Sequence, residues 1–291
     1  MGHLGRVRAG ISPKDLAEAI GVSESSVKRW VDQGTLKAAR TAGGHRRIAR
    51  DEALRFIREQ NNLVVRPDKL GFESTSLASD RDGSFRSVSE QLFNHLVAGQ
   101  GPAARTVLAG LHLAGHDIAT IADSVIRPTF DRLGGLWKGS LTGIFLEHRA
   151  TQLCLTALDE LRAMATQRPL HPGRSAVIAG PPGDPYLLPS ILTTLTLREA
   201  GWQVTCLGPD TPLDVLEHAA RDLSANLVCL SITAAPTPTL GVEIGALVER
   251  CAAQRCHVAI GGQSVCALEL GAHLPMIGHS MTELLELTRG L

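Results

Sequence analysis

The chain has 291 residues, its 29 Lys and Arg are balanced by 29 Asp and Glu, and 44% of it is hydrophobic. That length holds two or three domains, and the composition is that of a folded globular protein rather than a disordered or fibrous one. No apolar stretch reaches membrane-spanning length and none precedes the first predicted helix, which points to a cytoplasmic protein without a leader or a membrane partner.

In chain order, Ser12 is placed to cap a first helix, Pro13 stands at its first position, and Asp15 meets its positive end. Leu16, Ala19 and Ile20 form its apolar stripe and Gly21 stops it. Ser23 caps a second helix that reaches Gln33 and ends at Gly34. Two short helices joined by a glycine-containing turn predict a helix-turn-helix, whose second helix enters the major groove of duplex DNA. Lys28 and Arg29 project from that helix, whereas Val27, Trp30 and Val31 form its packing face.

The following stretch, Arg40-Thr41-Ala42-Gly43-Gly44-His45-Arg46-Arg47-Ile48, predicts a cationic hairpin. Gly43 and Gly44 can both take the positive φ of a two-residue loop. The flanks Arg40-Thr41-Ala42 and His45-Arg46-Arg47 then run as short strands that gather three arginines for phosphate contacts. Residues 1–60 carry twelve Lys and Arg against seven Asp and Glu, so basic charge is local to this segment although the whole chain is neutral. Nucleic-acid binding by one domain predicts that asymmetry. The Thr41–Arg47 run resembles the wing signature of the MerR-type winged helix-turn-helix regulators. The resemblance implies a DNA-binding head over residues 1–62 that binds double-stranded DNA as a homo-oligomer, because one head supplies few contacts. The residues it assigns to DNA are Lys28, Arg29, Arg40, Thr41, Gly43, Gly44, His45, Arg46 and Arg47.

A third helix is predicted from Asp51 to Gln60, and residues 63–84, with Pro67, Gly71, Gly83 and many Ser, Thr and Asp, read as a linker. Helical periodicity returns over 85–168: Val88, Leu92, Leu96 and Val97; then Val107, Leu108 and Leu111; then Ile118, Ile121, Ala122 and Val125; then Leu146 to Leu161. Four amphipathic helices with short connections predict a four-helix bundle.

Over 172–291 the pattern changes to apolar runs at Ala176–Ala179, Val204–Leu207, Leu227–Leu230 and Val258–Ile260, separated by helical stretches. This predicts a Rossmann-like, flavodoxin-like parallel α/β domain with its ligand at the carboxyl ends of the strands. Gly180-Pro181-Pro182-Gly183 follows the first strand, and its two prolines lack the amide donors of a phosphate cradle. A dinucleotide cofactor is therefore excluded there. Six cysteines, Cys154, Cys206, Cys229, Cys251, Cys256 and Cys266, stand mostly among apolar neighbours with no Cys-x-x-Cys pair, and read as buried reduced thiols. Cys251, Cys256 and His257 come nearest to a metal cluster.

A bundle and a Rossmann-like domain behind a MerR-type head is similar to the cobalamin-dependent, light-sensing repressors of carotenoid genes. Trp137 followed by Glu147-His148 resembles the bundle motif that covers the upper corrinoid face in that family. Ser231-Ile232-Thr233 and Gly261-Gly262 resemble the small-residue loops that admit the nucleotide tail of the cofactor. The resemblance implies a transcription regulator, not an enzyme, with an adenosyl-type cobalamin, Trp137, Glu147, Ser231, Thr233, Gly261 and Gly262 as binding residues, and His148 as an upper cobalt ligand. It also implies a dimer or tetramer that light dissociates. On the lower face the family carries Asp-x-His-x-x-Gly, whereas this chain reads Asp184-Pro185-Tyr186-Leu187-Leu188-Pro189. Tyr186 thus stands for the lower-ligand His and Pro189 for the Gly, while Asp184 is kept or caps the next helix. A phenol is a poor cobalt ligand beside an imidazole. Three arrangements follow: cobalamin with its own base or nothing beneath the metal, another tetrapyrrole, or a ligand-free scaffold. The alternative functions are a corrinoid-carrying methyl-transfer module and a ligand-independent regulator.

Overall fold

A computed structural model describes residues 10–41, 43–60, 64–70, 83–136, 140–164, 170–171 and 173–291. The described residues divide into two compact units, one from 1–116 with 152–165 and the other from 117–151 with 166–291. The helices expected as one bundle over 85–168 all form, but they are shared between these units.

The first unit opens with α1 (Pro13–Ile20) and α2 (Glu24–Asp32). Ser12 accepts the Asp15 N–H at 3.1 Å and Ser23 accepts the Ser26 N–H at 3.2 Å, so both helices start at the predicted caps. Gly21 leaves α1 with a left-handed φ of 68°, which an L side chain resists. A two-stranded hairpin, β1 (Ala39–Arg40) with β2 (Arg46–Arg47), precedes α3 (Arg50–Glu59). Leu16, Val27, Leu36, Ile48 and Phe56, all at 0% exposure, close one core beneath these elements. Burying each such side chain contributes about 2 kcal/mol.

Part of the expected linker belongs to this core. Val65 and Arg66 donate to the Ala19 carbonyl at 2.8 and 3.1 Å, and a 3-10 turn (Pro67–Leu70) inserts Leu70 while Val64 is also buried. Lys69 and Arg66 pair with Glu18 of α1. Residues 71–82 of the expected linker lie outside the described residues. Two helices of the helical region, α4 (Gly83–Val97) and α5 (Gly101–Leu113), belong to the same unit.

The second unit contains α6 (Ile118–Ile121), a π turn (Ala122–Ile126) and α7 (Arg127–Leu136) in succession. The wide turn has a local cause: Pro128 has no N–H to donate and crowds the preceding turn, while the Arg127 N–H reaches back five residues to the Ala122 carbonyl. The fourth predicted helix is longer than its periodicity suggested and forms α8 (Leu141–Met164), whose residues divide between the units at 152.

The sheet of this unit is all parallel: β3 (Ser175–Ala179), β4 (Gln203–Gly208), β5 (Leu227–Ser231), β6 (His257–Gly261) and β7 (Met276–Gly278), in the order β4-β3-β5-β6-β7. Four of these strands are the predicted ones. The fifth was missed because three residues at a sheet edge carry too short a pattern to read. Val177, Val228, Leu230 and Ile260 pack on one face against α10 (Leu213–Asp222) and α11 (Leu240–Ala252). Ala176, Ile178, Cys229 and Ala259 pack on the other against α9 (Leu188–Glu199) and α12 (Met281–Leu287). Burial on both faces is why β5 is apolar from Leu227 to Leu230.

Candidate functional site

The head presents the residues expected to meet DNA. In α2, Val27 is buried and Trp30 packs on Phe56 with ring centroids 4.9 Å apart, which fixes the opposite face outward. Lys28 and Arg29 are exposed on it, and Lys28 pairs with Glu24 one turn back at 2.8 Å. In the hairpin Arg40 faces Arg46 across the ladder. Its loop differs from the expected two-residue form. Thr41 donates to the His45 carbonyl at 2.9 Å and Gly44 to the Thr41 carbonyl at 2.8 Å, a wider loop closed further by the His45 N–H on Thr41 Oγ1. Of the two loop glycines Gly44 alone has positive φ, at 77°; the first strand ends two residues earlier than expected, at Arg40, and the second begins one residue later, at Arg46.

The arginines of the hairpin are not equivalent. Arg40 is exposed, but the Arg46 guanidinium is ion-paired with Asp32 in the last turn of α2. Arg47 is half-buried and donates to the Arg46 carbonyl at 3.3 Å. A support beneath the hairpin went unnoticed in the sequence. Glu52 accepts the Lys37 N–H at 2.7 Å and Arg55 at 2.6 Å, and Arg55 reaches the Thr35 carbonyl at 3.3 Å. The hydrogen bonds from Arg55 hold the Glu52 carboxyl at about 2, below its usual range. The Glu52–Arg55 spacing of three was the available signal.

At the carboxyl ends of the strands, Asp184 is the buried centre. One carboxylate oxygen accepts the N–H groups of Thr233 at 2.5 Å and Ala234 at 3.0 Å, and the other accepts that of Tyr186 at 3.1 Å. It therefore ties the loop after β3 to the loop after β5. It does not cap α9, whose start has no side-chain cap. Asp210, another residue the sequence did not flag, accepts the Gly183 N–H at 2.8 Å and donates its own N–H to the Asp184 carbonyl at 2.9 Å. Ser231 is buried, and the Thr233 carbonyl accepts Ser264 Oγ at 2.8 Å and Gln263 at 3.3 Å. A Cβ on Gly262 would lie 2.2 Å from the Ile232 carbonyl oxygen, and one on Gly261 would lie 2.9 Å from that of Gly278. The glycine pair is thus required by close main-chain approach of neighbouring strand ends.

Tyr186 is 44% exposed, and Pro189 sits in the first turn of α9. Residues 180–189 contain no histidine, and the carboxylate that would orient one is occupied by three main-chain donors. The lower face therefore does not fit a corrinoid with a protein imidazole beneath its cobalt. One polar group near the start of α9 lacks a partner: the Ser190 hydroxyl is fully buried without a hydrogen bond. On α8, Glu147 is half-buried and His148 exposed, next to the exposed Leu141, Ile144 and Phe145. Trp137 lies outside the described residues. The thiols are less uniformly buried than expected: Cys206 is half-buried and Cys266 exposed. Among the described residues no three metal-ligating side chains converge, and no helix is long and apolar enough to cross a membrane.

Comparison with known proteins agrees with both halves. Residues 11–61 match the Helix-turn-helix domain family. The chain is 22% identical over 230 residues to the HTH-type transcriptional repressor CarA of Myxococcus xanthus, covering 77% of each protein. Among solved structures, the monomethylamine corrinoid protein of Methanosarcina barkeri superposes with a TM-score of 0.53 at 16% identity, covering 69% of this chain and 97% of that one. The chain thus joins a helix-turn-helix domain to a helical region and an α/β domain with the fold of a corrinoid protein.

Proposed function

We propose that this protein is a sequence-specific, DNA-binding transcription regulator whose C-terminal region senses a ligand and sets the oligomeric state. The observation that carries the reading is the paired basic surface of the head, α2 with Lys28 and Arg29 beside a hairpin with Arg40, Thr41, Gly43, Gly44, His45, Arg46 and Arg47. Similarity to a named transcriptional repressor over 77% of the chain supports regulation over a methyl-transfer carrier, which has no use for a DNA head. A single head of this size makes few base contacts, so the working form is a dimer or tetramer. Selection of bound fragments from random duplex DNA by the full-length protein tests the assignment. Enrichment of an inverted or direct repeat supports it, and recovery of unenriched sequence overturns it.

The ligand class of this reading is a cobalamin held without a protein imidazole below the metal. The buried, unpartnered Ser190 hydroxyl supports an internal ligand. A second reading, a ligand-independent regulator, is favoured by the strand-end loops satisfying one another through Asp184 and Gly262. Incubating the purified protein in darkness with adenosylcobalamin, other cobalamins or haem, followed by desalting and absorption spectroscopy, separates the two. A retained chromophore selects the first and identifies the macrocycle; a colourless protein selects the second.

A further inference from the structure

Cys251 and Cys256 take no part in either site described above, yet the end of α11 brings them together. The Arg255 N–H donates to the Ala252 carbonyl and the Cys256 N–H to the Cys251 carbonyl, both at 3.0 Å, and Arg255 has a left-handed φ of 57°. These nested bonds make a Schellman turn, in which the side chains of the first and last residues, usually both apolar, meet across the turn. Here both are cysteines. They are free thiols, 1% and 4% exposed, and the Cys256 thiol also lies 3.7 Å from the His257 carbonyl, to which it donates. Two aliphatic side chains would close such a turn equally well, so its stability does not account for a facing pair of sulfurs.

We propose that Cys251 and Cys256 form a dithiol that a hydroperoxide closes into an intrachain disulfide across the end of α11. The Cys251 thiolate attacks the terminal peroxide oxygen, the O–O bond breaks, and water or an alcohol leaves after taking up a proton. Cys251 is then a sulfenic acid. The Cys256 sulfur attacks it, the S–S bond forms as the S–O bond breaks, and the hydroxide leaves as water with the Cys256 proton. The two sulfurs together lose two electrons to one peroxide. The charges around the pair favour Cys251 as the attacking sulfur. The Cys256 hydrogen bond lowers the Cys251 thiol, helped by Arg250 and Arg221 against burial and Glu217, whereas Cys256 is pushed up by the same bond. The pair stands at the end of a helix whose last residues Ala252 and Ala253, with Arg255, are exposed, so fraying of one helix turn admits a small oxidant. Cys154 and Cys229, pushed up to about 12 by burial, stay protonated and inert.

The test uses reduced, full-length, native protein treated with hydrogen peroxide, alkylated after denaturation, digested with trypsin and analysed by mass spectrometry. The expected product is the Cys251–Arg255 peptide linked to the peptide that begins at Cys256, with Cys154 and Cys229 alkylated and full reversal by dithiothreitol. Cys251→Ser and Cys256→Ser each abolish the linked peptide, and in Cys256→Ser the sulfenic acid remains on Cys251 for capture by dimedone. Full alkylation of both cysteines after a peroxide dose that consumes the exposed Cys266 overturns the proposal.

Discussion

The guanidinium of Arg46 on the hairpin is ion-paired with the carboxylate of Asp32 at the end of α2. This bond joins the two elements proposed to touch DNA, so Arg46 sets the position of the hairpin as well as contributing charge. Exposed pairs of this kind contribute about 0–1 kcal/mol, and their value here lies in orientation.

Arg40 and Arg46 should therefore separate in a mutational test. Arg40→Ala is expected to weaken binding to all duplexes and reduce the slope of log affinity against log salt by about 1, with unchanged melting. Arg46→Ala is expected to do the same and also to lower the melting temperature, because Asp32 loses its partner. Gel-shift titrations across a salt series, with thermal melts of both variants, measure this; identical melts would contradict the anchoring role.

The loop glycines should differ as well. Gly43 does not take positive φ, and a Cβ there meets nothing closer than His45 Cδ2 at 3.6 Å. Gly44 has open space around it but a φ of 77°. Gly43→Ala is expected to be neutral within about 0.5 kcal/mol, and Gly44→Ala to cost about 1–2 kcal/mol. Denaturant unfolding of the two variants checks the order, and a two-residue loop with both glycines left-handed would make the losses equal.

Glu52 gives a pH dependence with a defined sign. Its carboxyl titrates at about 2 in the folded head against 4.5 for a free side chain, so its contribution is complete above 4.5 and is lost as pH falls toward 2. Glu52→Gln is expected to be less stable than the parent at neutral pH, with the difference shrinking through that window. Melting curves from pH 7 to pH 2 show this as convergence; a constant gap would assign the effect to packing instead.

Position 186 tests the ligand. Under the cobalamin reading, Tyr186→His with Pro189→Gly supplies an imidazole and clears space at the start of α9. The double variant is then expected to bind cobalamin at least tenfold more tightly, about 1.4 kcal/mol, and to shift its absorption bands. The Tyr186→His change alone should have a smaller effect, because Pro189 remains. Absorption titrations in darkness decide it, and an unchanged affinity and spectrum in the double variant would remove the lower face from the account.

The local signals in this chain were reliable where a structure is closed by neighbours in sequence. Ser12, Ser23 and Gly21 define the ends of α1 and α2 through bonds spanning three to five residues, so the helix-turn-helix was legible before any tertiary contact was known. The strands β3, β5 and β6 were legible for a related reason: a strand buried on both faces is a continuous apolar run. What the chain brings together over long distances was not legible. Asp184 finds its partners at Thr233 and Ala234, 49 and 50 residues away, and a carboxylate before a helix reads from sequence as a cap. Val64 and Leu70 look like apolar residues stranded in a polar linker until α1 is present to receive them. The edge strand β7 exists because β6 offers it a ladder. The Cys251 and Cys256 turn is local, but it went unread because Arg255, and not a glycine, takes the left-handed φ that closes it. Caps, turns and apolar periods are short-range physics and are carried by sequence alone, whereas long-range charge pairing and main-chain close approach require the fold to bring residues distant in sequence into contact.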